Sequence, residues 1–235
     1  MRWLAAGVVA GVLAIGGMAM ATPERVTVSD DRMMAATQTH FYVLRDVIDN
    51  VGSHYSALHD QHLVEINLAS GEATRFWPLR RLKVSHLETD DFLNPGHVTG
   101  RDGEVHDMMA VLGELGAQPL SPSVWKSDDI VLQDGALMRE GEVVLTPFGI
   151  RAAGRGQLAI LRAAYPPIET EQEYRQAGRI DFYNLYAEGG WECRLQDQNQ
   201  TLFQANQSLQ VIKLQCEDAE FSGAWSFHVL IREDN

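Results

Sequence analysis

Cysteine, cationic residues and catalytic signatures are all scarce in this chain. Of 235 residues, only Cys193 and Cys216 are cysteines. They do not form a C-x-x-C pair, which excludes the usual dithiol redox motif. H-E-x-x-H is missing as well, so neither familiar zinc signature is present. Lys and Arg number 19 against 32 Asp and Glu, a net charge of −13. Nucleic-acid phosphates and anionic lipid surfaces both call for cationic partners, so this balance disfavours them. Beyond residue 21 no apolar run approaches the roughly 20 residues needed to cross a bilayer. There is no G-x-S-x-G elbow. Gly154-Arg155-Gly156 lacks the third glycine and the strand–helix setting of a nucleotide loop. Carboxylates are so numerous that a pair for acid–base work is always available on paper, which discriminates nothing.

What is present starts with residues 1–21. Met1-Arg2 precedes an apolar run from Trp3 that ends Ala19-Met20-Ala21. A positive start, a run of small and aliphatic residues and an A-x-A end are the parts of a cleaved secretory signal peptide. Pro23 follows and breaks any continuing helix. The chain is therefore expected outside the cytosol, periplasmic or secreted, with no membrane span in the mature form. In that oxidising setting the cysteine pair predicts a Cys193–Cys216 disulfide. Closing a loop of about 23 residues contributes roughly 3 kcal/mol.

Residues 22–37 are polar without periodicity and are expected to be a flexible leader. Residues 38–165 read as a β-rich region with one helix near 103–115. Residues 166–235 read as a β-rich C-terminal region, either joined to the first or separate from it. His40–Asn50 fits a helix face or a strand equally well. Val64, Ile66 and Leu68 alternate with Glu65 and Asn67, and a turn at Ala69–Glu72 returns the chain into Ala73–Trp77, a β-hairpin pattern. Pro78 interrupts the second strand. Val105, Met108, Met109, Leu112 and Leu115 make one apolar helical stripe, with Asp102 expected as its cap and Gly116 just past its end. Asp134-Gly135 and Glu140-Gly141 divide residues 130–147 into three short strands. Residues 151–156 read as a Gly-rich connection and 157–165 as strand or helix. Thr170–Glu173 looks like a capping box opening a short helix. Strands are expected at 179–186, 191–196, 209–216 and 225–232, with Phe182, Tyr183, Tyr186, Trp191, Trp225 and Phe227 filling a β core. Strands joined by short turns, with few helices, define an α+β fold that is mostly antiparallel.

Two constellations carry candidate chemistry. Seven of eight histidines fall between His40 and His106. Of these, His54, His59, His62, His97 and His106, with Asp60, Asp102, Glu104 and Asp107 nearby, offer the imidazole and carboxylate donors that suit a divalent transition metal. Strand alternation sets His59 and His62 on opposite faces unless a bend intervenes. The second constellation is cationic. Arg75, Trp77, Arg81 and Lys83 fall at odd positions of one extended stretch, with Arg80 beside them. A face of cations with a Trp suits an anionic ligand or a partner's acidic patch. No complete catalytic set emerges. The sequence therefore predicts an exported, non-enzymatic binding or structural module of the cell envelope. The alternative is a metal-binding protein or metal-dependent hydrolase built on the histidine-rich region.

Overall fold

The computed structural model describes residues 25–50, 56–85, 97–100, 105–120, 129–168, 180–183, 191–196, 200–204, 207–218 and 223–232. Five strands come first: β1 (Thr27–Ala36), β2 (His40–Asp49), β3 (Ser56–Asn67), β4 (Ala73–Ser85) and β5 (His97–Gly100). Helix α1 (Met108–Glu114) and the short β6 (Gln118–Pro119) follow. Then come β7 (Ile130–Gln133), β8 (Ala136–Arg139), β9 (Glu142–Leu145) and helix α2 (Pro147–Ala164). The chain closes with β10 (Trp191–Leu195), β11 (Gln200–Gln204), β12 (Gln207–Asp218) and β13 (Gly223–Arg232). The larger sheet runs β10-β12-β13-β1-β2-β3-β4-β5, with β11 also on β12 and β6 on β1. β7-β8-β9 form a separate antiparallel sheet. In the larger sheet β1 and β13 pair in parallel and the other pairs are antiparallel, so that sheet is mixed. Because β13 pairs with β1, the two β-rich regions read from the sequence share one sheet.

Residues 27–36 are not a leader but a central strand, flanked by β2 and β13. Burial alternates along the first half of β1, yet the buried positions there are Thr27, Ser29 and Asp31; Ala35 is buried beyond the bulge. A strand whose first buried positions are polar leaves no hydrophobic period to read. Asp31 lies directly across from Arg45 of β2 and binds it through two hydrogen bonds of 2.6 and 2.7 Å. Both side chains are at most 1 % exposed.

The inner face of β2 and β3 carries two apolar groups with this ion pair between them. Phe41, Val43, Val64 and Ile66 pack with Leu209 and Val211 of β12. Val47 and Leu58 pack with Leu158 and Leu161 of α2 and with Ile212, Phe227 and Val229. Alternate residues of β12 thus enter different clusters, so the β12–β13 hairpin is buried on both faces. That explains the near-continuous apolar runs in its sequence. On the outer face α1 covers Tyr42 and Leu63 with Val111 and Leu112. Its cap is Asp107, whose side chain accepts from Ala110 N–H at 2.8 Å. The expected cap, Asp102, lies outside the described residues, as does Thr170–Glu173.

Helix α2 takes in residues 151–156, expected to be a Gly-rich connection, and residues 157–164, where the sequence fits strand or helix. Thr146 caps it by accepting from Gly149 N–H at 3.1 Å, and Pro147 opens it. Its glycines serve contact rather than flexibility: a Cβ on Gly154 would sit 3.3 Å from the Phe227 ring. The sequence also predicted a strand at 179–186. Its described part, Ile180–Tyr183, is not strand and turns at Phe182–Tyr183. The 134–135 and 140–141 turns are as read, with positive φ at Asp134, Gly135, Glu140 and Gly141. Cys193 and Cys216 are opposite one another on β10 and β12 and are bonded.

Side chains join β13 to the rest of the fold where backbone pairing with β1 ends. The last backbone pair is Ser29 with Trp225. Next, Ser226 Oγ accepts Asp31 N–H at 2.6 Å. Then the Gln157 amide takes the place of a strand: its Oε1 accepts from His228 N–H, and its Nε2 donates to His228 O and Gly71 O. Finally Arg232 donates to Ala69 O at 3.0 Å. Gln157 is fully buried, and its own carbonyl accepts from Arg45. Replacing its amide with an apolar group of similar size strands buried backbone groups. Gln157→Leu is expected to lower unfolding free energy by about 2–4 kcal/mol, measured as a fall in the urea midpoint at unchanged m-value.

Candidate functional site

Cross-strand register builds a buried polar band across the inner face. Asp31, Arg45 and His62 form one row over β1, β2 and β3. Ser29, Val47, Asp60 and Arg81 form the next, reaching β4. The ring of His62 meets Phe76, Tyr165 and Phe182 edge-on at centroid distances of 5.6, 6.2 and 5.8 Å. Arg81 donates to the Tyr165 hydroxyl at 3.1 Å, and its Nε lies 3.9 Å from Asp60. Burial pushes the Asp31 carboxyl upward while the charge and hydrogen bonds of Arg45 pull it down. Tyr42, on the other face, is pushed up to about 12, by burial first and then by the Glu65 carboxylate that its hydroxyl bonds.

The sequence-predicted histidines do not share one place. His62 is inside, whereas His59 is on the outer face and bonds Asp46 at 3.1 Å. Burial alone would raise the Asp46 carboxyl. Hydrogen bonds from His59, Gln61 and Arg32 outweigh it and hold the group at about 2. His106 donates its backbone N–H to Pro78 O at 2.7 Å. His97 begins β5 opposite Ser85, and His54 lies outside the described residues. Among the described residues, no three His, Cys, Asp or Glu side chains gather closely enough to hold a metal ion.

The cationic stretch is divided. Register skips Leu79 at a bulge, with Gln61 opposite Arg80 and His62 opposite Pro78. Arg75 and Trp77 therefore share the outer face with Glu65 and Leu63, while Arg81 and Lys83 share the inner face with Asp60 and Leu58. Arg75 covers the Trp77 ring at 4.7 Å. Arg80 is exposed on the outer side.

A cavity of about 400 Å³, which no sequence pattern marks, lies between α2, the β3–β4 turn and β13. Its walls include Ala152 and Ala153 of α2, Leu145, Val229 and Leu230, with Glu72 and Arg232 among the lining residues. The small residues of α2 leave the space, and nothing short of the folded contacts announces it. His228 lies beside this region, 1 % exposed, with neither ring nitrogen hydrogen-bonded among the described residues. No known protein family, curated protein or solved structure matches this chain.

Burial, with the Lys213 and Arg45 charges added to it, pushes the His228 imidazole down from 6.5 to about 3. Between those values the unfolded chain binds a proton that the folded chain refuses, so stability falls as pH falls. Asp30 and Asp31 of β1 lie near the same cations, so a variant comparison is needed to isolate the imidazole. His228→Leu is expected to lose less stability between pH 7 and pH 4.5 than the wild type, by an amount on the order of 2 kcal/mol in urea unfolding.

Proposed function

We propose that this chain is an exported, non-enzymatic binding module of the cell envelope. In this reading the cavity beside α2 receives a small, mostly apolar molecule. The cavity carries the reading. Its volume of about 400 Å³ falls in the range of roughly 300–1,000 Å³ typical of small-molecule sites. Leu145, Ala152, Val229 and Leu230 supply apolar walls, and Arg232 supplies a cation for a polar or anionic end of the ligand. The interior polar groups favour binding over catalysis. Asp31, Asp49 and Asp60 each face an arginine, and the exposed Asp30 accepts from the buried Lys213. Those carboxylates tie neighbouring segments together, and Asp30 also accepts from Ser226 Oγ at 3.0 Å. The disulfide supports an extracytoplasmic setting, and no described helix is long and apolar enough to cross a membrane.

The test uses protein recovered from the periplasm as a chain starting at Thr22, with N-phenyl-1-naphthylamine as a fluorescent apolar probe. Saturable binding is expected. Ala152→Leu, at an exposed helix position on the cavity wall, should weaken it at least tenfold without lowering the thermal midpoint. Equal binding by the variant, or none by the wild type, removes the cavity as the binding site.

A further inference from the structure

We propose that the outer face of the β7–β8–β9 sheet, with the open edge of β9, docks an extended segment of another protein that is both basic and apolar. This surface is separate from the cavity and does not depend on it. Register lines up Val131, Met138 and Val143 in one row across the three strands. Val131 is 50 % and Val143 54 % exposed. The opposite face sends Ile130, Leu137 and Leu145 into the core. The outer face therefore carries an apolar row beside the exposed Gln133, whereas a solvent-facing antiparallel sheet is ordinarily polar on the outside. Phe148, 78 % exposed, borders the other end of the sheet. Its neighbour Pro147 lies against the Gly135 turn, 3.7 Å from where a Cβ would stand.

Charge selects the occupant. Asp129 and Glu140 are exposed at the end where the apolar row runs, Glu142 is exposed at the same end across from Arg139 on the other face of β9, and Asp134 is exposed at the far turn. Among the described residues none of these four carboxylates is in an ion pair. Arg139 is the one cation between residues 129 and 148. It lies on the opposite face from Met138 and donates to Gln210 at 2.6 Å. A second copy of this chain would bring carboxylates against carboxylates, and an anionic bilayer would be repelled in the same way. A segment with apolar residues between Lys or Arg meets both features of the surface. Among the described strands β9 pairs with β8 alone, so among the described residues its outer edge is open to an added strand. Such a strand continues the Val131–Met138–Val143 row and sets its basic flanks beside the carboxylates.

Labelled peptides of composition KKVTVKK, EEVTVEE and KKSTSKK, titrated against the mature protein by fluorescence anisotropy, test this directly. The first is expected to bind at least tenfold more tightly than either control, more weakly as salt rises, and with slowed amide exchange in β9. Glu140→Lys combined with Glu142→Lys should weaken it at least tenfold and flatten the salt dependence. Val143→Ser should weaken it at low and high salt alike. If Val143→Ser lowers the thermal midpoint, the charge-reversed protein decides alone, because its changes are in an exposed turn and the first residue of β9. Equal binding of the three peptides, no binding, or unchanged affinity in the charge-reversed protein overturns the proposal.

Discussion

A guanidinium only 1 % exposed in the middle of a sheet is the constraint around which this fold is arranged. Removing such an ion from water costs several kcal/mol, and one good partner alone does not always offset that. Arg45 has two. Asp31 takes its Nε and Nη2 from β1, and the Gln157 carbonyl takes Nη1 from α2. Both partners must be in place before the guanidinium is satisfied, so β1, β2 and α2 depend on one another. Gln157 extends the coupling, because the same residue completes the hydrogen bonding of β13 at His228. The central sheet, the helix and the C-terminal hairpin therefore meet at one side chain.

This arrangement shapes where function can reside. The polar groups that look most chemical in the sequence, the histidines and the aspartate of β3, lie in or beside the layer that holds the fold together. His62 is enclosed by three aromatic rings, and His59 helps hold Asp46 ionised on the other face. The surfaces we propose for recognition are peripheral. One is the cavity beside α2, open where helix residues are small. The other is the small sheet, whose inner face is core and whose outer face carries an apolar row between carboxylates. Both adjoin the start of α2, through Leu145 and Gly149 in the cavity and Pro147 at the Gly135 turn.

Legibility in the sequence followed the physics of each element. The hairpins at Asp134-Gly135 and Glu140-Gly141 were readable because few residue pairs tolerate positive φ in succession. The disulfide was readable because only one pairing is possible. β1 was not, because its first buried positions are Thr27, Ser29 and Asp31, and Asp31 is stabilised by a residue on another strand. α2 was hidden by glycines at positions 149, 154 and 156, which lower helix propensity but, at Gly154, admit Phe227. A clue did exist at Arg45, a charge within the apolar run Phe41–Ile48, although nothing in the sequence named its partner. The cationic stretch misled for a local reason. One bulged residue, Leu79, exchanges the faces of everything after it. No local pattern marks Gln157, because its role is set by strands more than seventy residues away in both directions.

A double-mutant cycle on Asp31 and Arg45, read by urea unfolding, tests the central claim most directly. Asp31→Leu and Arg45→Met should each cost about 3–5 kcal/mol, because each leaves an opposite charge buried without its partner. The double variant should cost well under the sum of the two, a coupling above about 1 kcal/mol. Additive losses, or single losses under about 1 kcal/mol, would show that the buried pair does not organise this fold.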